Sequence, residues 1–449
     1  MMRIEVAGAG AGKTTGMASR ILGCEIPAGK VVYCVAFTNA AADNIRSKLV
    51  ELSGSVSDNI KVSTIHSFLY SELIKPYYHL LFNKSYQAIS VIRLPNDNVY
   101  RNAKIRELEG QALLHQTVIP QRARWVVDKK TKESARVRAL RAKVIALFAG
   151  YCHNIFVDEA QDIDKDMKAI LLALGRAGVG IELFGDPKQD VKGHGCFREL
   201  IDACGDVTFI KECHRCPEIH LQLSNALAED AEKQIADAHN RPGSISVYFE
   251  SETDVAALVA ERKYGLVYIS RRNDRFETHA SHGDDSRFEA LFHEVSSATK
   301  DKPGATQCDL EVNRMTYHAA RQMMAFVAEG GTPSAAIKRW IDQGLFDYEK
   351  RRYARMVSAL KPTSPSSDRG IAVRSIEAVK GLEHERCLFI LTQDLAPYLF
   401  GDKKEDNKTK HLLYVALTRS IDVLSILVTH EVEAEYSKER LLGLEKGQC

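Results

Sequence analysis

The chain has no apolar run approaching the roughly 18 residues that a membrane-spanning helix needs. Its opening, "MMRIEVAGAGAGKTT", reaches glycine before a signal segment could form, so a soluble, cytoplasmic protein without membrane contact is expected. An excess of charge of either sign is also missing. The formal net charge is +2 over 449 residues, which excludes a globally basic, histone-like binder and leaves only local basic faces. There is no disulfide framework: ten cysteines are scattered through a large chain, as reduced thiols would be. The tight cluster, Cys213 and Cys216 with His220 nearby, has no second CxxC pair, which a structural zinc site ordinarily requires. No internal repeat is visible.

What is present is enough for more than one core, since single cores rarely grow past about 250 to 300 residues. Strand-like runs, "RIEVAG", "KVVYCVAF", "HNIFVDE", "GIELFGD" and "DVTFIKE", alternate with helical stretches at Gly12 to Leu22, Ala40 to Leu52 and Lys165 to Gly175. A second series follows, with "SISVYFES", an amphipathic stretch from Asp254 to Lys263, "YGLVYIS", "GIAVRSI", "RCLFILT" and "DVLSILV". Such alternation predicts an α/β fold with two mostly parallel sheets. Residues 69–150 and 275–364 are mainly helical and read as insertions. "KPTSPSSDRG" (361–370) reads as a connector, and "GDKKEDNKTK" (401–410) as an exposed charged loop. The first insertion holds a basic run of Arg122, Arg124, Lys129, Lys130, Lys132, Arg136, Arg138, Arg141 and Lys143, against only Asp128 and Glu133. A charge run is usually a solvated face, but this one is also a candidate for phosphate backbone.

"AGAGAGKTT" (residues 7–15) lies between a strand and a helix, the context that makes a phosphate loop. Gly8, Gly10 and Gly12, with Ala9 and Ala11 between them, let the backbone curl so that N–H groups face phosphate oxygens at a helix N-terminus. Lys13 supplies charge to the β and γ phosphates, Thr14 a hydroxyl for Mg²⁺, and Thr15 extends the motif. Ala7 stands where the pattern begins with glycine. In "NIFVDEAQD" (154–162) an apolar strand ends in two acids. Asp158 can hold Mg²⁺ through water, and Glu159 can orient and deprotonate the attacking water. Together the two motifs predict an ATPase.

Eight segments in order resemble the motifs of the UvrD/Rep/PcrA-like superfamily 1A DNA helicases: "AGAGAGKTT", "FTNAAADNI" (37–45), "TIHSF" (64–68), "VDEAQD" (157–162), "GDPKQ" (185–189), "CHRCPEI" (213–219), "SIEAVKGLEHE" (375–385) and "LLYVALTRS" (412–420). The resemblance implies two RecA-like P-loop domains that clamp ATP and Mg²⁺ between them and move on single-stranded or tailed DNA, in the 3′ to 5′ direction. Residues 1–68 and 151–212 would form the first domain, and 213–274 with 365–449 the second. Gln189 would sense the γ phosphate, Arg215 and Arg419 would act as arginine fingers, and Glu383 would touch the sugar. Phe37 would stack on a base, with Thr38, Asn39, Thr64, His66 and Ser67 on the DNA backbone.

The sequence also departs from the family. Few residues precede the loop, so the adenine-reading glutamine motif is missing. After Gln189 the chain reads "DVKGHGCF" where the family places stacking aromatics, leaving Phe197 as the candidate substitute. Glu377 replaces a histidine, and the second insertion is short. The compact plan resembles the helicase-like subunit of Gabija-type phage-defence systems, which work beside a separate nuclease. A stand-alone repair helicase and a nucleotide-dependent switch acting on a partner nuclease are the competing readings.

Overall fold

The computed structural model describes residues 2–95, 97–128, 133–271, 275–278, 282–300, 309–328, 330–361 and 371–448. The chain forms two compact units, Met1–Leu266 with Val379–Cys449, and Val267–Ala378. Its fold is α/β, with parallel sheets and mainly helical insertions.

In the larger unit six strands form one parallel sheet: β1 (Met2–Ala7), β2 (Val31–Ala36), β3 (Ile60–Thr64), β4 (Cys152–Val157), β5 (Gly180–Gly185) and β6 (Val207–Ile210), in the order β3-β2-β4-β5-β1-β6. The central strands are apolar on both faces, because helices cover both sides of such a sheet. β1 thus ends in four buried residues, Ile4, Glu5, Val6 and Ala7. Val6 lies opposite Gly185, and Val157 opposite Leu183. The carboxyl ends of β1, β4 and β5 therefore align at one edge, where ligands of open α/β sheets bind. Helix α1 (Lys13–Leu22) begins one residue after the expected Gly12, which serves as its cap at φ 72°. Helix α2 (Asn39–Ser53) begins where the Thr38 hydroxyl accepts the Ala41 N–H at 3.1 Å.

The first insertion is helical at Lys75–Phe82, Asn98–Gly110, Ile119–Val127 and Ala135–Tyr151, with a short parallel pair, Ala88–Ser90 and Leu113–His115. It does not form a core of its own. Ile119, Ala123, Val126 and Phe148 bury in the same cluster as Ile4 and Val35 of the sheet. Each large apolar side chain removed from water there contributes about 1.5–3 kcal/mol. A second parallel array in this unit runs Ser244–Phe249, Ser420–Val428, His384–Leu391.

In the smaller unit Ile371–Ser375 pairs in parallel with Phe276–Thr278 and with Tyr268 and Ile269. Helices His282–Lys300, Asp309–Ala328, Pro333–Asp342 and Lys350–Leu360 close around Leu291, Val295, Ala320, Ile337, Phe346 and Leu360. The connector at 362–370 and the run members Lys129, Lys130 and Lys132 lie outside the described residues. Among those described, no helix is long and apolar enough to cross a membrane.

Candidate nucleotide site

The loop after β1 turns through two left-handed residues, Gly10 at φ 71° and Gly12 at φ 72°, a conformation that favours glycine. Inside this curl the Lys13 ammonium donates to the carbonyls of Ala7 (3.0 Å) and Gly8 (3.1 Å). Ala9 is buried, whereas Thr15 faces outward on α1.

The acid pair follows β4. Asp158 is buried, accepts the Glu159 N–H at 2.9 Å and lies 3.5 Å from the Thr14 hydroxyl. Burial, and then the neighbouring Glu159, push its carboxyl up to about 6, against the pull of Lys13. A buried carboxylate held this far above its ordinary value has too little positive charge around it. With the Thr14 hydroxyl alongside, it fits a divalent cation chemically. Glu159 sits at φ 54° and is held by the Gln161 amide, whose own oxygen accepts the Asp186 N–H at 3.0 Å.

The next strand end, after β5, brings Asp186 and Gln189. The Gln189 amide donates to Asp186 at 2.9 Å, and the Lys188 ammonium stands 2.9 Å from the same carboxylate. Burial opposes the charge of Asp186, yet Lys188, Lys13 and the Gln189 amide hold it below the usual carboxylate value. Asp186 and Lys188 stand inside the "GDPKQ" segment, although the sequence assigns a role there to Gln189 alone. The Lys188 side chain is buried between Asp186 and Glu232.

The second half of the unit closes over the loop. The His214 N–H donates to the Gly10 carbonyl at 2.9 Å, and a Cβ added to Gly10 would lie 2.4 Å from the Cβ of Arg215. Arg215 pairs with Glu383, and its Nε is buried without a hydrogen-bond partner. Tyr414 and Gln234 grip Ala9. The Ala9 N–H reaches the Tyr414 hydroxyl at 3.3 Å, the Gln234 amide donates to the Ala9 carbonyl at 3.1 Å, and Tyr414 donates to Gln234 at 3.0 Å. Sequence reasoning missed both residues. Tyr414 stood inside a recognised segment, but Gln234 gives no sequence signal.

Two expected contacts are different in the structure. Arg419 is buried, with its guanidinium donating to the carbonyls of Val415 (2.9 Å) and Leu382 (3.2 Å) and to the Thr418 hydroxyl (2.9 Å). To act as a finger it must exchange these bonds. Glu383, expected on the sugar, is the partner of Arg215.

The proposed DNA residues gather only in part. Phe37 is half-buried, and the Lys192 ammonium lies 4.9 Å from its ring centroid. His66 is near by: burial first, and then Lys192, keep its imidazole below the usual histidine value, with Asp164 opposing. Asn39 and Ser67 are exposed. Thr38 and Thr64 are helix caps, the latter accepting the Ser67 N–H at 3.3 Å. Phe197 is corrected outright: it is 1% exposed, in the core beneath Gly185, and cannot stack on a base. The basic run is largely satisfied internally. Arg122 pairs with Glu109, Arg124 with Asp128 and Asp166, and Arg141 is buried against Glu133 and the Trp125 carbonyl. Arg136, Arg138 and Lys143 are exposed. The CxxC pair does not recruit His220, whose Nε2 is 3.0 Å from the Ser244 carbonyl.

A phosphate loop at the end of β1, an acid pair after β4 and a glutamine after β5 thus meet at one edge of the first sheet and form a P-loop-type site for nucleotide phosphates. Residues 2–194 match the AAA domain family. Over 295 residues the chain is 28% identical to Gabija protein GajB of Bacillus cereus (strain VD045), covering 60% of this chain and 57% of that protein. The chain thus spans less than two thirds of that relative. Among solved structures, it aligns with a complex of Arterivirus nonstructural protein 10 (helicase) with DNA at a TM-score of 0.39 and 12% identity, covering 99% of this chain and 63% of the other. It aligns with the PRRSV helicase at a TM-score of 0.37 and 10% identity, covering 97% and 54%.

Proposed function

We propose that this protein is a UvrD-class ATP-dependent DNA translocase that works in the cytoplasm beside a separate nuclease in anti-phage defence. The observation that carries the reading is the grip of Arg215, Gln234 and Tyr414 on the phosphate loop. Residues far downstream in the chain contact the loop directly, so a change at the nucleotide is felt across the cleft. The similarity to a Gabija protein supports the defence setting. The division into 1–68 with 151–212, a basic insertion at 69–150, 213–274 with 365–449, and a reduced insertion at 275–364 belongs to the same proposal.

In this reading Lys13 and the loop N–H groups bind the phosphates, while Thr14 and Asp158 would hold Mg²⁺. The bound cation would neutralise charge on the phosphate oxygens. Glu159 takes the proton of the attacking water, with Gln189 orienting that water. Arg215, whose Nε is buried and unpartnered, supplies positive charge to the transferring phosphoryl group. Phe37, Thr38, Asn39, Thr64, His66 and Ser67 line the proposed DNA path, Thr38 and Thr64 through groups not already engaged in caps.

The test is ATP hydrolysis by the purified chain with and without single-stranded DNA, beside Glu159→Gln. Strong stimulation, lost in the variant, is expected. The burial of Phe197 specifically favours a second reading, a nucleotide-dependent switch with a weak grip on bases. A hydrolysis rate indifferent to DNA would select that reading. Unwinding of a tailed duplex by the chain alone would instead favour a stand-alone repair helicase.

A further inference from the structure

Cys213 and Cys216 flank Arg215 beside the phosphate loop. Cys213 ends the short strand Glu212–Cys213, which pairs with Ile235–Ala236, and Cys216 precedes Pro217, the cap of helix Glu218–Asn225. The Cys216 N–H donates to the Cys213 sulfur at 3.3 Å, while the Cys216 thiol donates to the Thr418 carbonyl at 3.7 Å. The Cys213 thiol in turn reaches the Ala9 carbonyl at 3.1 Å, and a Cβ on Gly10 would come within 3.2 Å of its sulfur. Neither thiol belongs to the cluster of metal donors found among the described residues, Glu212, His214 and Asp237.

The N–H of the second cysteine in this CxxC turn rests on the sulfur of the first, which places the two as an attacking and a resolving cysteine are placed.

We infer that Cys213 and Cys216 form an oxidant-sensitive dithiol site, closed to a disulfide by hydrogen peroxide, which shuts down the phosphate loop it touches. The Cys213 thiolate attacks one peroxide oxygen. The O–O bond breaks, hydroxide leaves and takes up a proton, and Cys213 becomes a sulfenic acid. The Cys216 sulfur then attacks the Cys213 sulfur, forming the S–S bond, while the sulfenic hydroxyl departs with the Cys216 proton as water. Two thiols are oxidised, and one peroxide is reduced to two waters. Both cysteines are fully buried, which suits an oxidant of this small size. Closure draws the Cys213 sulfur away from its contact with the Ala9 carbonyl and encloses His214 and Arg215 in a covalent ring. The consequence for hydrolysis rests on the proposed function, but the disulfide itself does not.

The reduced full-length protein is treated with hydrogen peroxide, its free thiols are blocked with N-ethylmaleimide, and its peptides are mapped by mass. The peptide holding Cys213 and Cys216 should lose both alkylation sites and regain them after dithiothreitol, with Cys204 alkylated throughout. ATP hydrolysis should fall about a hundredfold, the scale of a displaced transition-state donor, and recover on reduction. Cys216→Ser should keep its own untreated rate through the same exposure. Continued alkylation of both cysteines under peroxide overturns the site. A disulfide that leaves hydrolysis and the binding of a fluorescent ATP analogue unchanged overturns the switch. Should the reduced protein hydrolyse no ATP, the proposed function fails, and the peptide map with analogue binding still decides the dithiol site.

Discussion

The Tyr414 hydroxyl accepts the backbone N–H of Ala9 at 3.3 Å, across a separation of 405 residues, and passes its own proton to Gln234. The triangle is complete because Gln234 donates back to the Ala9 carbonyl. One tyrosine and one amide thus fix both polar groups of a phosphate-loop residue, with no charge used. Removing either should loosen the loop without unfolding the sheet behind it. Since a single neutral hydrogen bond contributes about 0.5–1.5 kcal/mol, Tyr414→Phe should raise the KM for ATP about three- to tenfold. Steady-state kinetics on the purified variant check this, and unchanged KM and kcat would remove the grip from the account.

Gly8 is small because of Gln234. A Cβ added at Gly8 would lie 2.2 Å from the Gln234 amide, a flexible side chain and not backbone. Gly8→Ala should therefore impair nucleotide binding by pushing Gln234 off Ala9. Adding Gln234→Ala should not worsen the defect further and should relieve the crowding, so the double variant binds at least as well as Gly8→Ala. Strict additivity in a double-mutant cycle read by analogue binding would show that the two positions are not in contact.

Asp158 makes the unliganded protein sensitive to pH. Its carboxyl titrates near 6 in the fold against 3.8 as the ordinary value, so the folded state holds the proton more tightly than the unfolded chain. Stability contributed by that proton is present at low pH and lost as pH rises between the two values. Asp158→Asn should accordingly raise the thermal midpoint at pH 8 and bring no gain below about pH 4. The same variant should lose Mg²⁺-dependent hydrolysis. Melting curves across this range, without nucleotide, separate the two effects.

The basic insertion should divide into two kinds of arginine. Arg141 is buried against Glu133, so Arg141→Ala strands a buried carboxylate and should destabilise the fold by about 3–5 kcal/mol. Arg136 and Arg138 are exposed, and reversing both to glutamate should leave the melting temperature nearly unchanged. If this face binds DNA, the pair should weaken binding at low salt and flatten its salt dependence. Identical salt slopes for wild type and variant would assign the face to solvent.

Several parts of the protein could be read from the chain because their physics is local. Alternating apolar runs named five strands of the first sheet but not its edge strand Ile60–Thr64, and "AGAGAGKTT" turns through left-handed glycines at Gly10 and Gly12. Asp158 and Glu159 follow a strand directly, so a single segment places them. Phe197 and Arg141 misled the reading for one reason. An aromatic residue or a cation has the same letter in a core as on a surface, and only packing tells Phe197 under Gly185 from a base-stacking residue. Gln234 carries no local signal, since its role comes from Ala9, far away in the chain.

By itself the sequence determined the elements and the chemistry of the phosphate loop, both set by neighbours within a few residues. Only the tertiary structure decided which side chains meet that loop. Whether Cys213 touches Ala9, whether Arg215 finds Glu383, and whether the Asp158 carboxyl is pushed above its ordinary value depend on distance and burial, and these follow from how the strands and helices pack.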